Sequence, residues 1–448
     1  MFGPRRWGIS GAPNIPCPCP GAPWTPTHAY LRAAALGGAL LVAAVVFRDP
    51  GLAVVATPFL TITAWSLGTR PSVVPNLRQP RSLPVLREGE SMRWQVQLEA
   101  VAGLEQAAVL MERAEYQQLR PPTGACAALA STGQPTVALA LQARSIRWGM
   151  NRVCRALICA TSPWGAFRWG TVELPALEQT TLPLPAVFDA AAPTPHPIGL
   201  VGLNRSARRG EGSEFATIRP FAPGDRLRRI HWPVSLRSRA LHVASTWADQ
   251  DAEVMLLVDA STDLGTSEGI DGFASSLDVT VRAAGAVAEH FLRHGDRVGL
   301  CVFGPDLLRL SPSAGRTHLR KVLTRLAATT VGNRDIAEGK LLRLRLGANT
   351  MVVMLSACSS ELALRQAATF AARGLSVVVV DTLPLHLGGM TDPSLTVAWR
   401  IRRLERENDL RELNRRGIPV VAWRGPGSLD LVLRDLSRRG SAPTLARR

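Results

Sequence analysis

Lysine is nearly missing from this 448-residue chain: Lys321 and Lys340 are the only two among 52 basic residues, and the rest are arginine. Tyrosine occurs only at Tyr30 and Tyr116, which excludes a tyrosine-rich binding surface. Cysteine is sparse for this length, and the seven residues are too scattered for a disulfide framework. Cys17 and Cys19 flank one proline, but no second pair or nearby histidine cluster completes a zinc site. Acids number 35, leaving a net charge of +17. The joint bias to arginine, alanine, glycine and proline points to a GC-rich genome, which weakens a nucleic-acid reading of that charge. The same balance suits a protein held against an anionic inner leaflet.

The chain has the length for about three domains, and 46% hydrophobic residues exclude wholesale disorder. Residues 1–28 carry seven prolines and four glycines and are expected to be disordered on the cytoplasmic side. Two apolar runs follow, Ala29–Phe47 and Leu52–Gly68, separated by the turn Arg48-Asp49-Pro50-Gly51. At about 1.5 Å per residue both approach the thickness of a bilayer core. Residues 29–68 therefore read as a two-helix transmembrane hairpin, with Pro58 a candidate kink. Arginines flank it on both sides (Arg5, Arg6 and Arg32; Arg70, Arg78, Arg81 and Arg87). The positive-inside rule then places both ends, and all that follows, in the cytoplasm, giving a multi-pass protein of the inner membrane.

Residues 69–190 read as β. Met92, Trp94, Val96 and Leu98 alternate with polar positions, Val137, Leu139 and Leu141 repeat the pattern more weakly, and Val153–Cys159 forms a further short run. A small β-sandwich fits, acting as a spacer or interaction module. Beyond residue 251 the pattern becomes α/β. Apolar strands are expected at Val254–Val258, Val298–Phe303, Met351–Leu355, Val377–Val380 and Ile418–Trp423, with Pro419 suiting an edge. Phe273, Leu277, Val281, Ala284, Ala288 and Phe291 recur at helical spacing, and Gly295, Gly374 and Gly417 stand where helices end. Residues 251–438 thus read as a mostly parallel, doubly wound sheet, followed by a basic tail at 439–448.

Between lies a connector, 191–250. From Arg205 to Arg239 it holds nine arginines against three acids. Gly210 and Gly212 could open a phosphate-cradling loop, but no third glycine and no Gly-Lys-Ser/Thr follows. Aromatic interleaving for nucleic acid is sparse (Phe215, Phe221, Trp232). A structured connector fits better, with Pro223-Gly224 as a turn, Asp225 pairing a nearby arginine and Trp232 packing inward. The arrangement Gly210, Gly212, Glu214, Phe215, then Arg219, Phe221, Pro223, Gly224, Asp225, then Arg229, Ile230, Trp232, resembles the signature of the bacterial family catalogued as domain of unknown function 58. Ser162-Pro163-Trp164-Gly165-Ala166-Phe167 is similar to that family's proline–aromatic–glycine turn, and Asp259-Ala260-Ser261 and Gly295–Leu300 also fit. His231 stands where many members carry aspartate.

The resemblance implies a C-terminal domain similar to von Willebrand factor A. Such domains bind a divalent cation through Asp-x-Ser-x-Ser, a distant threonine and a distant aspartate. Here Asp259 and Ser261 are kept, the third position is Asp263, Ser356-Ala357 follows the strand where aspartate is expected, and Asn333-Arg334-Asp335 lies near the expected threonine. The expectation is a degenerate site without a cofactor, weak magnesium binding through Asp259, Ser261 and Asp263 being the minority reading. His290 and His294 are spaced as a metal pair but lack a third ligand, and Ser261 has no hydrolase context. Arg402, Arg403, Arg406, Arg411, Arg415 and Arg416, with Glu405, Glu407 and Glu412, read as a solvated helix face. The resemblance implies a MoxR-type AAA+ ATPase as partner. The expected function is a non-enzymatic, membrane-anchored adaptor. The alternatives are an arginine-driven nucleic-acid binder and an enzyme using Asp259 and Ser261. Nucleic acid is not expected as a partner, and no small-molecule substrate is identified.

Overall fold

The computed structural model describes residues 15–16, 23–131, 134–184, 209–222, 225, 227–247, 253–293, 295–332, 344–347, 350–384, 387 and 393–424. The chain divides into two compact units. The first comprises residues 1–182 with Gly269–Asp271, and the second the remainder.

The first unit opens with two helices, α1 (His28–Phe47) and α2 (Pro50–Gly68). Thr27 caps α1, its hydroxyl accepting from Tyr30 N. Arg48 ends α1 in the left-handed region, at φ 53°, and the Asp49 carboxylate accepts from Gly51 N at 2.8 Å, with Pro50 at the first helical position. The two helices meet through small residues: Gly37, Ala44 and Ala56 are buried, and a Cβ on Gly37 would stand 3.1 Å from Leu60 and Phe59. The hydroxyls of Thr57, Thr61 and Thr63 donate back to carbonyls one turn earlier, at 2.9 Å each, so none lacks a partner. α2 runs through Pro58 as one helix. Both helices are long and apolar enough to cross a bilayer.

The strands of this unit are β1 (Ile15–Pro16), β2 (Thr25–Pro26), β3 (Leu77–Gln79), β4 (Leu86–Arg87), β5 (Ser91–Glu99), β6 (Gln106–Met111), β7 (Gln117–Arg120), β8 (Ala125–Leu129), β9 (Thr136–Ser145), β10 (Gly149–Val153), β11 (Ala156–Thr161), β12 (Phe167–Leu174) and β13 (Leu177–Leu182). They form two five-stranded sheets, β1-β3-β5-β9-β7 and β2-β12-β11-β6-β8, and a three-stranded sheet, β10-β13-β4. The alternation read over 92–98 and 137–141 is realised: Trp94, Val96, Leu98, Leu139 and Leu141 point into a common core with Ile158, Trp169 and Leu174. The run 153–159 is not one strand. Cys154, at φ 63°, breaks it between β10 and β11. Nor are the described parts of residues 1–28 disordered. Ile15–Pro16 pairs with Arg78 and Gln79, Thr25–Pro26 pairs with Phe167 and Arg168, and Trp24 is buried, donating from Nε1 to Val73 O at 3.0 Å.

The second unit contains β14 (Arg209–Pro220), α3 (Trp232–Ser238), β15 (His242–Trp247), β16 (Glu253–Asp259), α4 (Ser276–Arg293), β17 (Arg297–Phe303), β18 (Leu308–Ser313), α5 (Arg316–Ala327), β19 (Thr350–Ser356), α6 (Glu361–Ala372), β20 (Ser376–Asp381), α7 (Pro393–Arg415) and β21 (Val420–Ala422). Its main sheet has the order β18-β17-β16-β19-β20-β21, all neighbours parallel except the antiparallel edge strand β18. Alternate residues Met255, Leu257, Val352, Met354, Val377 and Val379 meet Ala367 and Phe370 of α6 and Leu413 of α7. α4 packs on β16, β17 and β19 through a buried face that includes Val281, Ala284, Ala288 and Phe291. Phe273, read as the first residue of that helix, precedes it and is 60% exposed. β14 and β15 pair separately.

Gly170 makes the sharpest local demand. It sits at φ 87° where the β11–β12 register shifts, and a Cβ there would stand 2.7 Å from Ile158 O. Gly170→Ala is expected to destabilise the first unit by more than about 1 kcal/mol in chemical denaturation. An unchanged midpoint would show that the bulge is not needed.

Candidate functional site

In the parallel sheet, Asp259, Ser356 and Asp381 occupy the carboxyl ends of three adjacent strands, β16, β19 and β20. Ligands of open α/β sheets bind at this edge. Asp259 is 5% exposed. Its Oδ1 accepts from Ser261 N at 3.0 Å and from Ser261 Oγ at 2.6 Å, and its Oδ2 accepts from Ser356 Oγ at 2.6 Å. Ser356 Oγ in turn accepts from Cys358 N at 2.8 Å. Burial pushes the Asp259 carboxyl above its ordinary value, against the opposing pull of those donors. The Cys358 thiol beside it is pushed up to about 12, chiefly by burial, so it is no ready nucleophile.

The structure therefore brings Asp259 and Ser261 together but leaves Asp263 elsewhere. The Asp263 Oδ1 accepts from Leu277 N at 2.9 Å and Ser276 Oγ at 3.1 Å, holding the first turn of α4. Ser356 stands as a donor where a cation site would want a carboxylate. The next carboxylate along the edge, Asp381, is bonded by the Arg406 guanidinium, whose Nε also donates to Ala357 O at 2.8 Å. Arg406 is one of six arginines read as a solvated face. Arg403, Arg411 and Arg416 do pair with glutamates four residues away on that face, whereas Arg406 turns inward and is only 13% exposed. Among the described residues no three His, Cys, Asp or Glu side chains converge on a metal position. A hard divalent cation wants about six oxygens, several of them carboxylate. This edge offers it one buried carboxylate already held by three donors and a second already paired with arginine. Asn333, Arg334, Asp335 and His294 lie outside the described residues. A serine in hydrolase-like spacing, Ser267 between Gly265 and Gly269, sits in the irregular segment before α4, not at a strand-to-helix elbow.

The connector has its own geometry. Gly210, Gly212, Glu214 and Phe215 lie within β14, and the pairing with β15 is irregular between Gly210 and Phe215. An extended strand is not a phosphate-cradling loop, so that reading fails. Arg219 donates from Nη1 to Asp225 Oδ2 at 2.8 Å and from Nη2 to Oδ1 at 2.6 Å, a bidentate fork, while Asp225 Oδ2 also accepts from Ala222 N at 2.9 Å. The fork and that amide hold the Asp225 carboxyl below the usual range. Pro223 and Gly224 lie outside the described residues. Arg229 ends a short 3-10 turn, Ile230 bridges to Val243, and His231 N donates to His242 O at 2.8 Å, with His231 Nδ1 buried and unpartnered. Trp232 does not pack inward. It opens α3 at 58% exposure, one turn before Leu236 at 74%, with Leu227 and Leu241 also exposed nearby in sequence. Arg237 and Arg239 are exposed at the end of the same helix.

Residues 217–392 match the model of the family described as Protein of unknown function DUF58. Over 121 residues the chain is 35% identical to the uncharacterized protein Mb1516 of Mycobacterium bovis and, equally, to the uncharacterized protein Rv1480 of Mycobacterium tuberculosis. That stretch is 26% of this chain and 37% of the length of those relatives.

The raised Asp259 pKa fixes a sign. The folded state holds this proton more tightly than the unfolded chain does. Its contribution is fully present below an unfolded pKa of about 3.9 and is lost as pH rises through the higher folded value. The unfolding midpoint of the natural chain is therefore expected to fall relative to that of Asp259→Asn as pH rises from about 4 toward neutrality. Added magnesium is expected to move both equally little. Parallel pH profiles, or a magnesium shift specific to the natural chain, would contradict this assignment.

Proposed function

We propose that this chain, whose residues 217–392 belong to the DUF58 family, is a membrane-anchored adaptor without catalytic activity, its second unit serving as a protein-binding domain similar to von Willebrand factor A. In this reading the helical hairpin spans the inner membrane, the β-rich part of the first unit is a sandwich, and both units face the cytoplasm. The binding domain uses no cation. The partner implied by the family resemblance is a MoxR-type AAA+ ATPase, and the joint task is assembly or maturation of a complex.

The observation that carries the proposal is the exposed face of α3. Trp232 and Leu236, one turn apart, present apolar area to solvent inside the family signature, and Arg237 and Arg239 stand beside them. Tryptophan flanked by arginine is the composition of an interface hot spot. The self-satisfied edge around Asp259 supports the non-catalytic half. The Asp259 carboxylate accepts from the Ser261 and Ser356 hydroxyls, the Cys358 thiol donates to the Ser356 main-chain carbonyl, and none is positioned as a nucleophile with a free base beside it.

Trp232→Ala combined with Leu236→Ala should leave the chain in detergent-solubilised membranes at normal abundance. Recovery of a AAA+ ATPase with it should fall about tenfold or more, the scale of a hot-spot loss. Undiminished recovery would move the interface elsewhere. No such ATPase under crosslinking of the natural chain would count against the partner itself.

A further inference from the structure

The turn Ser162–Phe167 plays no part in the edge around Asp259 or in the connector, yet it carries a conspicuous residue. Trp164 sits at φ 61° and is 69% exposed. A bulky aromatic residue seldom adopts the left-handed region, and seldom faces water while doing so. The turn is held in this shape from several sides. Gly165 N donates to Ser162 O at 2.9 Å, Ser162 N donates to Phe167 O at 2.9 Å, and Phe167 N donates to Ser162 Oγ at 2.9 Å. Thr27, the residue that caps α1, then ties the turn to the helix: its Oγ1 donates to Gly165 O at 2.8 Å and its N to Ala166 O at 2.9 Å. The turn also touches α2. The Phe167 ring, three residues on from Trp164, faces Tyr30 of α1 at 5.2 Å between centroids and lies under the Arg70 guanidinium at 5.2 Å.

Trp164 is thus displayed at the root of the hairpin, where both helices join the β-rich part of the same unit. The residues at the end of α2 and beside the turn in sequence have the mixed character of a membrane–water boundary. Trp65, in the last turns of α2, is 66% exposed and Val73 is 59% exposed, while Arg70 and Arg168 are exposed cations. An indole has an apolar body and one N–H donor, and its preferred place is the headgroup layer, where each finds a match. Arginines at that depth meet lipid phosphates.

We infer that the Pro163-Trp164-Gly165 turn is an interfacial membrane anchor: its indole enters the phospholipid headgroup layer of the leaflet from which the hairpin rises, and so fixes the height of the β-rich part above the bilayer. This rests on the hairpin spanning a membrane, as proposed above. Exposure of an aromatic side chain on a conformationally costly backbone then has a reason, because the ring leaves water once the helices are inserted. The occupant is lipid, not a protein groove, because the turn is tied to the start of α1 through Thr27 and touches α2, the two helices whose outward residues are apolar and exposed.

The test uses the full-length chain in phosphatidylcholine vesicles whose acyl chains are brominated near the headgroup. Tryptophan emission is compared between the natural chain and single Trp→Phe variants, so that each difference reports one residue. The Trp164 difference emission is expected to drop at least about twofold on bromination, as does that of Trp65, while that of the buried Trp148 stays unchanged. If the Trp65 difference is quenched and the Trp164 difference is not, the hairpin is inserted and the anchor is wrong. If neither is quenched and the chain does not float with the vesicles, the membrane reading falls and takes the anchor with it. Trp164→Phe conserves size and apolarity at an exposed position, and unaltered circular dichroism confirms that the comparison is between folded chains.

Discussion

Apolar side chains on the outside of a helical hairpin must be removed from water, and most of the account depends on how that is done. Val45, Phe47, Val54 and Trp65 are between 66% and 75% exposed on α1 and α2. Each such side chain left in water forgoes about 1.5–3 kcal/mol. Within the hairpin the contact is made by Gly37, Ala44 and Ala56, small residues that bring backbones close but bury little area. Packing of that kind is weak in water and sufficient in lipid, where close approach and satisfied hydroxyls decide association. In the proposed reading, a bilayer would cover the outward faces and account for the inward ones at once. Because Ile15–Pro16 and Thr25–Pro26 before the hairpin pair with strands that follow it, both ends of the hairpin emerge on one side.

The second unit is governed by the opposite problem, a buried charge. The carboxylate of Asp259 closes the central strand in an apolar setting and is made tolerable by two serine hydroxyls and an amide. Two strands further on, Asp381 is answered by Arg406. These arrangements keep the edge of the sheet internally bonded. What the unit shows outward is a different surface, the exposed Trp232–Leu236 face of α3.

Much of this was legible in the sequence. Alternation over 92–98 marked β5, apolar runs of four to six residues marked the parallel strands, and two long apolar runs marked the helices. The Arg48–Gly51 turn was readable because its proline, glycine and aspartate each have a fixed use. Asp259 with Ser261 was readable through the resemblance to the Asp-x-Ser pattern of von Willebrand factor A domains. What stayed hidden depended on contacts distant in sequence. Asp381 and Arg406 are 25 residues apart, and nothing in a helix rich in arginine and glutamate singles out the one arginine that turns inward. Asp263 could be assigned to a ligand set because its actual use, holding the start of α4, comes from residues thirteen and fourteen positions later. Trp232 misled, because it was read as packed. Tryptophan is usually buried, and only the fold shows where it is displayed.

The central claim is that the hairpin is buried in a bilayer, and sedimentation of the full-length chain tests it most directly. Lysed cells are washed at alkaline pH and centrifuged at high speed with and without detergent. The account predicts that the chain pellets with the membranes through the wash and enters the supernatant only with detergent. A chain found in the supernatant without detergent would contradict it.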